Sequence, residues 1–123
     1  MEKQERILVI EDEEVLRETI QWMLEEEGWI VETATNGREA LRLVERSRPS
    51  LVILDISLPL VSGDSVAVEV QRRYNGSIPI LVITADGRAE TKARRVGAFD
   101  YLSKPFDLDA LIAAVQQGLS RAS

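Results

Sequence analysis

The stretch "RILVIEDEEV", residues 6–15, runs four apolar residues directly into four consecutive acidic ones. A short apolar run bounded by polar residues is typical of a buried strand. Carboxylates beside a buried segment lose hydration, and like charges in a row repel one another. The stretch therefore predicts a core strand that ends in a cluster of negative charge, and the rest of the chain has to explain that cluster.

Composition limits the classes of protein to which the chain can belong. Its 123 residues are 45% hydrophobic and 29% charged, which predicts one globular domain spanning residues 1–123. The net charge of −6 disfavours direct nucleic-acid binding. Without cysteine or histidine, the chain has no disulfides, no usual zinc ligands and no Ser-His-Asp triad. No secretory signal or membrane-spanning run is evident, so we expect a cytoplasmic protein without a membrane partner.

Short apolar runs alternate with helical patterns along the whole chain. The segment at residues 65–74 is ambiguous, because its valines fit both a strand and a helical face. Parallel strands need a crossover between them, usually helical, and this favours a helix at 65–74. Gly28 is placed to end the first helix, and Asp107 to cap the last one. The five predicted strands are residues 7–10, 29–34, 51–56, 78–84 and 99–102.

Strand composition also predicts the order of the sheet. The first, third and fourth runs are apolar throughout, as buried central strands are, whereas the second and fifth carry polar residues and belong at the edges. The order 2-1-3-4-5 follows. It corresponds to an α/β fold of the flavodoxin-like doubly wound type, a (βα)5 arrangement with a parallel five-stranded sheet.

The predicted strand ends carry a small set of chemically useful side chains. In such sheets the functional crevice lies at the carboxyl ends of the strands. Three carboxylates, a hydroxyl and an ammonium are expected there, and carboxylates this close need a hard cation such as Mg²⁺. Asp55, at the end of a core strand, is the best-placed acceptor for a phosphoryl group. The set comprises Glu11, Asp12, Asp55, Thr84 and Lys104.

Each of these residues also has a purely structural interpretation. Glu13 and Glu14 are expected in the first turn of a helix, where negative charge complements the helix dipole. Asp12 could be a helix N-cap. Asp55 could be an ordinary loop carboxylate and Lys104 an ordinary surface lysine. The functional interpretation depends on all of them meeting at one edge of the sheet.

Four motifs, in their order and spacing, resemble the receiver domain of two-component response regulators. They are "ILVIEDEE", "LVILDISLP", "VITA" and "GAFDYLSKPF", and the similarity spans about residues 5–119. The resemblance implies a phosphoacceptor domain in a phosphorelay, phosphorylated on Asp55 by a histidine kinase or phosphotransfer protein. It implies a signalling module with weak self-catalysed phosphoryl transfer and autodephosphorylation rather than an enzyme.

The resemblance also assigns roles to individual residues. Mg²⁺ or Mn²⁺ would be bound by Asp12, by Asp55, by Glu11 through water and by the backbone carbonyl of Ser57. Lys104 would pair with the phosphoryl oxygens, and the Lys104–Pro105 peptide bond would be cis. The residues implied as catalytic are Asp55, Lys104 and Thr84.

A conformational switch is implied as well. Thr84 would move toward the phosphoryl group, and Tyr101 would swing inward behind it. The surface around residues 86–104, with the last helix, would then bind a downstream effector domain or protein. Asp86 lies at a position that tunes the lifetime of the phosphoryl group in this family, and it could orient a hydrolytic water.

Two alternative functions have to be weighed against this one. A haloacid-dehalogenase-type phosphatase also uses a strand-end aspartate, Mg²⁺ and a lysine, but it has a second aspartate where this chain has Ser57. A receiver-like module that binds partners without phosphorylation would be expected to lack one of the key acids or the lysine, and this chain retains them all.

Overall fold

Strands and helices alternate along the computed structural model, which describes residues 4–58, 62–85 and 87–122. The predicted helix at residues 65–74 is confirmed, although it begins two residues earlier, at Gly63. The strands are β1 (Arg6–Ile10), β2 (Ile30–Ala34), β3 (Leu51–Asp55), β4 (Ile80–Thr84) and β5 (Asp100–Ser103). The helices are α1 (Glu14–Glu26), α2 (Gly37–Arg46), α3 (Gly63–Arg73), α4 (Ala89–Val96) and α5 (Leu108–Ala122).

All strand pairs are parallel, and their order is β2-β1-β3-β4-β5, as predicted. Every residue of β3 and β4 is buried, whereas the edge strand β2 buries only Val31 and Ala34, and the edge strand β5 alternates between partly buried and exposed positions. The register aligns Ile10 with Leu54, and Thr84 with Ser103. The carboxyl ends of the strands therefore meet at one edge of the sheet.

The sheet separates two apolar layers, because successive strand residues point to opposite faces. Helices α1 and α5 cover one face, and α2, α3 and α4 cover the other. Ile7 and Val9 of β1 belong to the first layer, and Leu8 and Ile10 to the second. Strands that are apolar on both faces are thus explained by burial on both sides.

The helix ends confirm most of the expected boundaries and correct one of them. Helix α1 begins at Glu14, and its N-cap position is Glu13, without a side-chain cap hydrogen bond. Asp12 therefore precedes the cap, and the N-cap interpretation of Asp12 is wrong. Gly28 follows the end of α1 with a φ of 96°, and the Asp107 carboxylate accepts a hydrogen bond from the Asp109 amide at the start of α5 (3.3 Å).

Helix α4 packs lightly against the rest of the domain. Ala89 and Ala93 are its buried residues, and both have small side chains. Two of its arginines form ion pairs, Arg94 with Glu90 of the same helix and Arg95 with Asp64 of α3. No helix within the described ranges is long and apolar enough to cross a lipid bilayer.

Candidate functional site

The structure brings the predicted strand-end residues together at the carboxyl edge of the sheet. Glu11 and Thr84 are fully buried, and Asp55 is 3% exposed. Asp12, one residue beyond Glu11, is exposed. Lys104 follows β5 and is tied to the end of β4, because its amide donates to the Thr84 carbonyl (2.8 Å). The functional interpretation of these residues as one group is therefore supported by their positions.

Lys104 bridges the two buried carboxylates. Its Nζ lies 2.8 Å from Glu11 Oε1 and 3.0 Å from Asp55 Oδ2. The second oxygen of each carboxylate accepts a backbone hydrogen bond at 3.0 Å, Glu11 from the Glu13 amide and Asp55 from the Ser57 amide. Both carboxylates are thus held in fixed orientations by a cation on one side and by a loop amide on the other.

Burial and charge act in opposite directions on these groups. Burial raises the pKa of Glu11 above its ordinary value of 4.5, although hydrogen bonds with Lys104 and the Glu13 amide oppose this. Burial lowers the pKa of Lys104, but its hydrogen bonds to Glu11 and Asp55 and their charges outweigh burial, so this pKa lies above its ordinary 10.5. Lys104 therefore remains a cation, whereas burial disfavours the ionised form of Glu11.

The donor set fits a hard divalent cation. One carboxylate oxygen from each of Glu11, Asp12 and Asp55 lies within 4.8 Å of the other two. The ammonium of Lys104 contacts Glu11 and Asp55 and offsets only one of the three negative charges when all three acids are ionised. Carboxylate oxygens around an incompletely neutralised site are the ligands that Mg²⁺ and Mn²⁺ prefer.

Two further predicted residues lie on the neighbouring strands β4 and β5. The buried Thr84 ends β4, whereas Tyr101 of β5 is 37% exposed. The Lys104–Pro105 peptide bond is cis, as the resemblance implied. Asp86 lies outside the described residues, so the prediction for it stays a prediction.

Sequence reasoning missed one residue that contacts the site from α1. The guanidinium of Arg17 donates through Nη1 to the backbone carbonyls of Glu11 (3.1 Å) and Asp12 (3.4 Å). A signal was available, since Arg17 is the first basic residue after the acidic cluster, but nothing in the pattern showed that its side chain turns back toward the loop.

A cavity of about 450 Å³ opens beside the site, between α1 and the segment after β5. Lys104 and Glu13 supply charged groups in its lining. Most of its wall is apolar, formed by Val15, Leu16, Pro105, Phe106 and Leu108. Val15 is 70% exposed, which leaves an apolar side chain at the entrance.

The fold and the clustered carboxylates define a class of protein, and comparison with known sequences gives that class a name. A sequence profile described as "Response regulator receiver domain" matches residues 7–116. Because the match covers most of the chain, the chain belongs to the response regulator receiver family of two-component signalling systems.

Individual relatives agree with this assignment. Response regulator MprA of Mycolicibacterium vanbaalenii is 38% identical over 120 residues, which is 96% of this chain and 52% of that protein. The chain thus spans about half the length of this relative.

Two solved structures are also similar. The signal receiver domain of a LuxO repressor protein from Vibrio parahaemolyticus has a TM-score of 0.89 at 30% identity, covering 98% of this chain and 93% of that one. Response regulator TrrA from Thermotoga maritima, in complex with Mg²⁺-BeF, has a TM-score of 0.81 at 36% identity, covering 93% and 98%.

Proposed function

We propose that Asp55 accepts a phosphoryl group from a histidine kinase or phosphotransfer protein, and that this modification changes the surface around residues 86–104. One observation carries the proposal. Asp55 is a buried carboxylate at the end of a central strand, held by Lys104 and by the Ser57 amide beside two further acids. A buried, oriented carboxylate next to a cation is suited to act as a nucleophile.

The transfer step is a displacement at phosphorus. A carboxylate oxygen of Asp55 forms the new P–O bond while the bond from phosphorus to the donor's histidine nitrogen breaks. The electron pair of that bond leaves with the imidazole, which then takes up a proton. Because phosphoryl transfer needs positioning and charge neutralisation more than covalent assistance, the fixed orientation of Asp55 is the main contribution of the fold.

Glu11, Asp12 and Asp55 would hold Mg²⁺ or Mn²⁺, Glu11 through water, with the carbonyl of Ser57 as a further ligand. When bound, the cation neutralises charge on the phosphoryl oxygens. Lys104 lies 3.0 Å from Asp55 and would transfer part of its interaction to the new phosphoryl group. The hydroxyl of Thr84, on the neighbouring strand, would donate to a phosphoryl oxygen.

The phosphoryl donor must reach a buried acceptor, and the apolar cavity beside Lys104 offers an approach. Its lining from Val15 to Leu108 gives a partner an apolar contact surface next to the reacting group. The partner would therefore dock against α1 and the segment after β5. Because the chain belongs to the receiver family and has the lysine and the carboxylates of the site, we propose a signalling module with weak self-catalysed phosphoryl transfer and autodephosphorylation, located in the cytoplasm.

The proposed switch depends on Thr84 and Tyr101. Thr84 pairs in register with Ser103, two residues beyond Tyr101 on β5. Movement of Thr84 toward a phosphoryl group would free space for the half-exposed Tyr101 ring. Helix α4, between β4 and β5, buries only alanines in its interior positions, and low local stability suits an element that moves. A downstream effector domain or protein would bind the changed surface around residues 86–104 together with α5.

Phosphorylation at Asp55 can be tested directly. The protein is incubated with acetyl phosphate and Mg²⁺, and peptide mass mapping locates a hydroxylamine-labile phosphoryl group. We expect one group on Asp55, none in Asp55→Asn, and normal labelling of Asp109→Asn, whose carboxyl group is exposed on α5. Labelling at another residue, or none at all in the wild-type protein, contradicts the proposal.

The switch needs a separate measurement. Amide hydrogen exchange is compared with and without a beryllofluoride adduct on Asp55. We expect altered exchange in residues 87–104 and unchanged exchange in the buried strand β3. Identical exchange across residues 87–104 would favour a domain that binds partners without this conformational response.

The phosphatase alternative has less support. Its second aspartate is replaced by Ser57, whose amide donates to Asp55 (3.0 Å), and the family assignment covers residues 7–116. This alternative would be supported only by steady hydrolysis of small phosphate esters with many turnovers per protein molecule.

A further inference from the structure

The carboxylate of Asp12 is held differently from the other two acids of the site. Lys104 and a loop amide fix Glu11, and Lys104 and another amide fix Asp55. Among the residues that the structure describes, none donates a hydrogen bond to the exposed carboxylate of Asp12. The position of this carboxylate therefore depends on its backbone.

Arg17 is what holds that backbone from the side of α1. Its Nη1 donates to the carbonyls of Glu11 (3.1 Å) and Asp12 (3.4 Å), and its amide donates to the Glu13 carbonyl (2.9 Å). Two consecutive residues of the loop are thus bonded to the Arg17 side chain, whereas the amide bond to Glu13 is the ordinary first-turn bond of α1 and does not depend on the side chain. Arg17 is half-buried.

The helix that carries Arg17 is itself firmly anchored. Ile20 and Leu24 of α1 are fully buried in the layer that α1 shares with α5. A guanidinium on such a helix holds the loop carbonyls in a fixed position relative to the core. Without this contact the loop keeps the bond from the Glu13 amide to Glu11, but the carbonyls of Glu11 and Asp12 lose a donor, which gives the Asp12 carboxylate more freedom to move away from Asp55.

We infer that Arg17 is a positioning residue for the divalent-cation site, acting through the backbone of Glu11 and Asp12 and touching neither the cation nor the phosphoryl group. This inference rests on the proposed function, since it takes Asp12 to be a cation ligand. Outer partners of this kind are worth about 10–100-fold in metal affinity when they bond a ligand side chain. Because Arg17 acts on the backbone, we expect about tenfold.

The sign of the effect separates positioning from simple charge. Arg17 is a cation close to a cation site, so removing its charge should by itself strengthen the binding of a divalent ion. Loss of positioning should weaken that binding. A weaker affinity on removal of a nearby positive charge is therefore not explained by electrostatics.

The experiment titrates the whole protein with Mn²⁺ and measures free Mn²⁺ by electron paramagnetic resonance. The variants are Arg17→Met, Arg17→Lys and, as a matched control, Arg42→Met, which removes an exposed arginine from α2. We expect about tenfold weaker binding for Arg17→Met, recovery to within about threefold for Arg17→Lys, and no weakening for Arg42→Met. If Arg17→Met is unstable without metal, Arg17→Ala, with its higher helix propensity, replaces it.

A second measurement is independent of metal. In the presence of EDTA, the Glu13 amide, which donates to Glu11 Oε2, should exchange hydrogen faster in Arg17→Met than in the wild-type protein. Unchanged Mn²⁺ affinity and unchanged Glu13 exchange in Arg17→Met overturn the inference while leaving the proposed function in place. Absence of Mn²⁺ binding by the wild-type protein itself overturns both.

Discussion

Replacing Asp12 with alanine tests the account of the acidic cluster most directly. Asp12 contributes an exposed carboxylate whose oxygen lies within 4.8 Å of carboxylate oxygens on Glu11 and Asp55. With Lys104 included, these neighbours carry one net negative charge. The variant therefore removes a repulsion when no cation is bound, and removes a ligand when one is.

The repulsion can be estimated from the distance. Two like charges at 4.8 Å repel by about 0.9 kcal/mol in water and by about 3.5 kcal/mol at an effective dielectric constant of about 20. Because Asp12 is exposed, the lower figure applies, at about 1 kcal/mol. For a domain of this size that corresponds to a melting temperature about 4 °C higher for Asp12→Ala in EDTA.

The response to metal goes in the opposite direction. At a Mg²⁺ concentration ten times its dissociation constant, binding to the folded state stabilises the wild-type protein by about 1.4 kcal/mol, or about 6 °C. Asp12→Ala should lose most of this increase, since it loses a direct ligand. The two melting curves therefore cross as Mg²⁺ is added.

Thermal unfolding monitored by circular dichroism in EDTA and in a Mg²⁺ series provides the assay. Glu14→Ala is the matched control, because Glu14 lies in the first turn of α1. It loses a favourable dipole contact and gains helix propensity, with little net change. Equal Mg²⁺ responses of Asp12→Ala and the wild-type protein, or a lower melting temperature of Asp12→Ala in EDTA, would refute the reasoning.

Three further perturbations probe neighbouring parts of the structure. Lys104→Met leaves two buried carboxylates without their cation, so it should lower the free energy of unfolding in EDTA by about 3 kcal/mol, measured by urea denaturation, and added Mg²⁺ should restore part of the loss. Because the pKa of Glu11 is raised, the folded state retains a proton that the unfolded state releases above pH 4.5. The free energy of unfolding should therefore fall as pH rises from 4.5 through the pKa of the folded state. In EDTA, Glu11→Gln should flatten that decline. Gly63→Ala places a methyl group 2.7 Å from the backbone of Ile56 and should cost about 1–3 kcal/mol by thermal unfolding, whereas Gly87→Ala, with open space around it, should cost much less.

Most of the fold could be predicted from sequence because each strand is short, apolar and bounded by turn residues. Strands buried on both faces differ visibly from edge strands, and this difference is enough to order β1, β3 and β4 in the middle of the sheet. The ambiguous segment at 65–74 was resolved by its neighbours rather than by its own pattern. The sequence leaves the start of α1 open, because any of several acids could precede the helix, and the chain uses Glu13 without a side-chain cap.

The sequence predicts which residues form the candidate site but not which of their atoms are in contact. Parallel strands place their carboxyl ends at one edge, so Glu11, Asp55 and Lys104 were expected near one another. The sequence does not show which atoms meet. Lys104 forms ion pairs with both buried carboxylates only because the chain after β5 returns to the end of β3, where Asp55 lies 49 residues earlier in the sequence.

By itself, the sequence determined the order of the strands, the helices between them and the residues at the strand ends. The reason is that local composition reflects how deeply each segment is buried. The tertiary structure alone decided which groups pair: the ammonium of Lys104 between two carboxylates, the guanidinium of Arg17 on the loop of Asp12, and the backbone of Ile56 against Gly63. These contacts depend on distances of a few ångströms between elements far apart in the chain, and periodicity carries no information at that scale.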